Sequence, residues 1–132
     1  MKADKKESIE KYLEGHPKIK LGILHGSVAE NRATFESDID LAVAADEPLS
    51  SDEIMEVIKK IIDISGRPVD LIDLQTTHGT LLKEILTKGT LIYSGDTTLH
   101  ASIIKRMIFN QEDMMPYRDR ILKEQRERWV KE

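Results

Sequence analysis

The sequence predicts an α/β fold, and two observations predict it. Segments whose apolar residues alternate with period two are interleaved along the chain with segments whose apolar residues recur at helical spacing. Between them, glycines, prolines and Ser/Asp caps stand where elements should start and stop. At 132 residues, 39% hydrophobic and 33% charged, the chain suits one compact domain around one core.

Asp4 and Glu7 are spaced as a capping box for a helix over residues 4–14, with Ile9, Tyr12 and Leu13 on one face and Gly15 and Pro17 to end it. Residues 19–24 predict a strand that runs into His25-Gly26-Ser27, and the polar residues 30–37 predict a loop. In the strand predicted over residues 38–44, Ile39, Leu41 and Val43 face one way while Asp38, Asp40 and Ala42 face the other. Ser50 and Glu53 form a second capping box, for a helix carrying Ile54, Val57, Ile58, Ile61 and Ile62 and stopped by Gly66 and Pro68. Residues 69–74 predict an apolar strand interrupted by Asp70 and Asp73, which an odd spacing places on opposite faces. Leu81, Leu82, Ile85 and Leu86 mark another helix capped by Gly89, and residues 90–93 a last strand closed by Ser94-Gly95-Asp96.

From about Thr98 the pattern is helical, with Ile103, Ile104, Met107 and Ile108 expected on one face and Pro116 expected to kink or split the segment. Residues 1–97 therefore read as the core and residues 98–132 as a C-terminal helical extension packing on it, within a single domain. Met107, Met114 and Met115, near Phe109, read as core filling.

Composition removes several function classes. Without cysteine there are no disulfides, thiolate ligands or cysteine nucleophile, so a metal would fall to oxygen ligands or to the four histidines. His16, His78 and His100 have no metal-binding spacing, and His25 reads as a packing residue at the core edge. A net charge of −4 argues against direct nucleic-acid binding as the main business of the chain. No apolar run reaches the roughly 18–20 residues of a membrane span, and the first residues lack the apolar centre of a signal peptide, so a cytoplasmic location away from membranes is expected.

What remains points to phosphate chemistry. Carboxylates at i and i+2 of a strand project from one face about 6–7 Å apart, a separation suited to oxygen-seeking cations such as magnesium. Two such ions can clamp the attacking and leaving oxygens of a phosphoryl group in in-line displacement, which gives Asp38 and Asp40 a catalytic purpose as metal ligands. Asp70 is the candidate third acid, to hold metal and accept the proton of an incoming hydroxyl. Asp73 competes for that role and is assigned to structure or solvent, with face parity to decide. Gly26 lets the backbone approach a phosphate, and Ser27 offers its N–H and hydroxyl, so Gly26-Ser27 is the candidate nucleotide-binding cradle.

Gly26-Ser27, ten intervening residues and then Asp38-Ile39-Asp40 match the G-S-x10-D-x-D signature, and on these residues the chain resembles the minimal nucleotidyltransferases of the DNA polymerase beta superfamily. The likeness extends through VDLIDL at positions 69–74, where the family places its third acid at Asp70, and through positions 81–96. It implies the nucleotidyltransferase fold, a small mixed β-sheet flanked by helices. One departure stands out: where many relatives carry Arg-Gly after the Ser, this chain has Glu30-Asn31 and then Arg32. Arg32 is left outside the candidate site.

The resemblance implies magnesium-dependent transfer of a nucleoside monophosphate, with two ions expected and ATP as substrate. Among small stand-alone members, the chain most resembles the MntA-type antitoxins of HEPN/MNT toxin–antitoxin pairs. That likeness implies adenylylation of a tyrosine on a cognate HEPN ribonuclease toxin, and a hetero-oligomer with that partner. Transfer to a small molecule of the aminoglycoside type, or silencing of the partner by occlusion without catalysis, are the alternatives.

Overall fold

The computed structural model describes residues 3–26 and 38–110. Among the described residues, four helices and four strands follow in order: α1 (Ala3–Gly15), β1 (Leu21–His25), β2 (Ile39–Ala44), α2 (Ser51–Ser65), β3 (Val69–Asp73), α3 (Gly79–Lys88), β4 (Thr90–Ser94) and α4 (Thr97–Asn110), with a 3-10 turn at Leu74–Thr76. The strands form one mixed sheet in the order β3-β2-β1-β4. β1 lies antiparallel to both β2 and β4, whereas β2 and β3 are parallel. Parallel neighbours need a long crossover, and α2 supplies it.

The central strands β1 and β2 are almost wholly buried, because their apolar runs are covered on both faces. On one face Leu24, Ile39, Leu41 and Val43 pack with Ile9 and Leu13 of α1 and Val57 and Ile61 of α2. On the other, Leu21, Ile23, Ala42 and Ala44 pack with Leu82 and Ile85 of α3 and Leu99 and Ile103 of α4. Period-two alternation thus assigns every strand residue to the α1/α2 side or to the α3/α4 side. None of the described helices is long and apolar enough to cross a membrane.

Local rules account for α2 most completely. Ser50 is the N-cap, its side chain accepting from the Glu53 amide while the Glu53 carboxylate accepts from the Ser50 amide. At the other end Gly66 adopts φ 70°, and its N–H donates to the Ile62 carbonyl. We expect Ser50→Ala to lower unfolding free energy by about 1 kcal/mol, since it leaves the Glu53 amide uncapped; urea denaturation measures this.

Glu53 also pairs with Lys18. The Lys18 hydrogen bond, followed by that from the Ser50 amide, holds its carboxyl down at about 2, below the ordinary 4.5. A depressed carboxyl contributes stability that is fully present above pH 4.5 and is lost as pH falls through about 2. Thermal unfolding midpoints between pH 5 and pH 2 should therefore fall less steeply in Glu53→Gln than in the parent, and parallel curves would refute the pairing's role.

The structure adjusts several sequence expectations. α1 begins at Ala3, so Asp4 sits in the first turn rather than capping it. Gly89 ends α3, its N–H donating to Ile85, in an extended conformation at φ −72° and not a left-handed one. In α4, Leu99 and Ile103 are buried, but Ile108 is 57% exposed and does not share their face. The helix is also tied down by Arg106, whose guanidinium donates to the Leu74 carbonyl and the Gln75 side chain. The expected loop at 30–37, the Pro116 kink and Met114 and Met115 lie outside the described residues.

Candidate active site

Three acid-bearing positions meet at one end of the sheet. In the β1/β2 ladder His25 is the partner of Asp40, and in the β2/β3 ladder Asp40 is the partner of Asp70. His25, Asp40 and Asp70 therefore form a row abreast across three strands. All three lie on the α3/α4 side: Asp40 alternates with Ala42 and Ala44, His25 with Leu21 and Ile23, and Asp70 with Ile72. Asp38, two residues before Asp40, shares that face at the mouth of β2, where it is exposed.

Asp73 falls on the opposite face, as its odd spacing from Asp70 requires. Its side chain is buried and fully engaged, accepting from the Leu49 amide at 2.8 Å and the Gln75 amide at 2.9 Å. It organises the turn after β3 at the far end of the strand from the row.

Electrostatics within the row are unfavourable to charge. Asp40 is half-buried, and its carboxyl is raised above the ordinary range, first by desolvation, with His25 opposing and the charges of Asp70 and Asp38 adding to the rise. Burial likewise lowers His25, against the pull of Asp40, Asp70 and Glu84. Its Nε2 is buried and has no hydrogen-bond partner among the described residues. Burial thus works against charge on both Asp40 and His25.

Gly26 closes the end of β1 against the row. Its φ is +70°, a left-handed conformation that side chains rarely adopt, and a Cβ there would overlap Asp40 Oδ2. Glycine is thus required twice at this position, by conformation and by space. Its expected companion Ser27 lies outside the described residues.

The donor set suits a hard divalent cation in kind: carboxylate oxygens from three positions on one face, mutually repelling, with no sulfur. Their side chains are aligned by the backbone rather than gathered round one point, since no group of three His, Asp or Glu among the described residues forms a ready-made cation site.

His25 is partly buried at the end of β1, as a packing residue at the core edge would be, and the structure adds that it stands in register with Asp40, where Asp40, Asp70 and Glu84 act on it. The signal that could have found it is antiparallel pairing of the strand before Gly26 with the Asp-x-Asp strand.

The candidate site is thus an Asp-x-Asp pair set beside a third aspartate and a left-handed glycine on one mixed sheet. The chain belongs to the polymerase beta nucleotidyltransferase family, whose sequence profile matches residues 7–98. It is 33% identical over 93 residues to a candidate protein adenylyltransferase of Methanocaldococcus jannaschii, covering 70% of this chain and 89% of that one. It is 31% identical over 77 residues to the protein adenylyltransferase MntA of Shewanella oneidensis, covering 58% of this chain and 55% of that relative, or little more than half its length. Among solved structures, a toxin–antitoxin complex with AMP-PNP matches with a TM-score of 0.71 at 23% identity, covering 94% of this chain and 98% of that chain, which is a likeness of fold. A complex of the tri-AMPylated Shewanella oneidensis HEPN toxin with its MNT antitoxin matches with a TM-score of 0.70 at 25% identity, covering 94% and 98%.

Proposed function

We propose that this chain moves AMP from ATP to a hydroxyl of a partner protein, the partner being a HEPN-type toxin and the hydroxyl that of a tyrosine. The observation that carries the transferase part is the register-matched pair Asp40 and Asp70, with Asp38 on the same face and Gly26 against Asp40. The protein acceptor is supported by the names of the relatives, which are protein adenylyltransferases, and by the AMPylated toxin in the matching complex. Net charge −4 agrees with a protein acceptor better than with an RNA acceptor.

Asp38, Asp40 and Asp70 would hold magnesium, two ions in the reading proposed here, and bound magnesium supplies positive charge to offset that of the triphosphate. The chain's own groups do the rest. Gly26 leaves room for a phosphate against the backbone, and Ser27 donates to the same phosphate in this proposal. The acceptor oxygen forms a bond to the α-phosphorus as the bond from that phosphorus to the bridging oxygen breaks. Pyrophosphate departs with the bonding electron pair, and the carboxylate of Asp70 takes the hydroxyl proton. Asp70 suits that task because it is the exposed member of the row, open to an acceptor arriving from solvent.

The test is incubation with ATP labelled on the α-phosphate, magnesium and the HEPN-type partner, beside Asp38→Asn and Asp40→Asn variants. Label on a partner tyrosine, lost in both variants, is the expected result. Label on an added aminoglycoside instead would move the acceptor to small molecules. Silencing of the partner by both variants as well as the parent, with label on nothing, would establish occlusion and reject transfer.

A further inference from the structure

β3 is an edge strand: β2 lies on one side of it, and no described segment pairs with the other. The Ile39 amide donates to the Pro68 carbonyl, so the ladder to β2 takes the backbone groups of residues 68, 70 and 72. The N–H and C=O of Val69 and Leu71 therefore point outward, with neither a proline nor a bulge within the strand to blunt the edge.

An apolar surface runs beside this edge. On α2, Glu53 pairs with Lys18 and the charge of Glu56 acts on Tyr12, which marks the side toward α1. Val57 and Ile61 face the sheet, and Met55, Ile58 and Ile62 stand at i, i+3 and i+7 on the side beyond them, away from α1. Because α1 lies over β1 and β4, that side overhangs β3. Met55 is 51% and Ile62 40% exposed, and Val69 and Leu71 of β3 are only half-buried.

The edge also continues the carboxylate row. A strand added antiparallel to β3 would set one residue directly opposite Asp70, in a pair without mutual backbone hydrogen bonds, where Cα atoms stand about 4.5 Å apart. That residue would be the fourth abreast after His25, Asp40 and Asp70, and it would share their face. Its two neighbours would point the other way, onto Val69, Leu71 and the Ile58/Ile62 stripe.

Charge decides the occupant. A second copy of the chain, placed there by a two-fold axis, would bring its own Asp38, Asp40 and Asp70 onto the same face as the first set, and like charges across a strand pair are destabilising. A non-acidic segment of another protein meets the acids without that repulsion. We infer that the free edge of β3 docks an extended, non-acidic segment of the acceptor protein as a fifth strand, with the acceptor hydroxyl on the residue opposite Asp70 and apolar residues on either side of it. The assignment rests on the protein-acceptor reading above. Backbone hydrogen bonds to Val69 and Leu71 give affinity and the α2 stripe selects the flanking side chains, while the register carries the hydroxyl to the carboxylate that takes its proton.

Amide exchange of the full chain, read residue by residue by NMR with and without the partner protein of the transfer test, examines the edge directly. The Val69 and Leu71 amides should exchange freely in the chain alone and slow at least about tenfold with the partner, while amides on the outer edge of β4 keep their rates. In transfer assays Ile62→Lys, on the exposed stripe, should raise KM for the partner about tenfold or more and leave KM for ATP within about twofold. Leu71→Pro, which removes an outward N–H without touching the ladder to β2, should also raise KM for the partner. Slow exchange of Val69 and Leu71 in the chain alone would mean that a second copy or another part of this chain covers the edge, and would overturn the docking. Parent-like KM for the partner in Ile62→Lys would overturn it too, while the transferase reading stands. A parent chain that labels no partner protein would remove the acceptor reading and this docking together.

Discussion

Asp40→Asn is expected to lower AMP transfer by about 10³-fold or more while leaving the thermal midpoint unchanged or slightly raised. Asp40 is the middle of the row, register partner of both His25 and Asp70, and the acid that Gly26 crowds. An asparagine keeps its shape but removes the charge that would hold a divalent cation, and loss of one preorganised electrostatic contact costs about 10²–10³ in rate where no metal is involved. The stability change runs the other way. Because the folded-state carboxyl is raised above its ordinary value, by desolvation first, the contribution of Asp40 is most favourable at low pH and is lost as pH rises through the raised value. At neutral pH the charged form works against folding, and the amide relieves that. Transfer of labelled AMP and thermal melts on the same preparation measure both effects. A variant within tenfold of the parent in rate would remove Asp40 from the chemistry.

Gly26→Ala is the second large effect, with activity falling by about 100-fold or more and stability by about 1–3 kcal/mol. A left-handed non-glycine residue costs roughly 1–2 kcal/mol, and the added Cβ overlaps Asp40 Oδ2, so the carboxylate or the backbone must move. Displacement of a reacting group by about 1 Å is enough to cost 10²-fold. The two causes separate in a double-mutant cycle with Asp40→Ala. Removing the carboxylate should recover the part of the stability loss that comes from overlap, leaving the conformational part and no activity. Purely additive stability changes would mean the contact is not what glycine serves.

The parts of the fold legible in the sequence were those fixed by neighbours a few residues apart. The Ser50/Glu53 box and the Gly66 stop of α2 are contacts at spacing three or four, so the pattern contains them whole. Period two separates Asp70 from Asp73 without any knowledge of strand pairing, because parity is a local property of a strand. The place of His25 was not legible in that way. It depends on the antiparallel register that sets His25 against Asp40, and a strand's partner is written nowhere within the strand itself. Ile108 misled for the reciprocal reason: an apolar residue near a helix end carries no mark of whether anything covers it.

The most direct test of the carboxylate row is ATP binding to the parent chain and to Asp40→Asn, followed by calorimetry at neutral pH with magnesium and again with the metal chelated. The account predicts association in the parent that depends on magnesium and weakens at least about tenfold on chelation and in the variant. Equal affinity in all these conditions would contradict it, because the acids would then have no part in holding the nucleotide's metal.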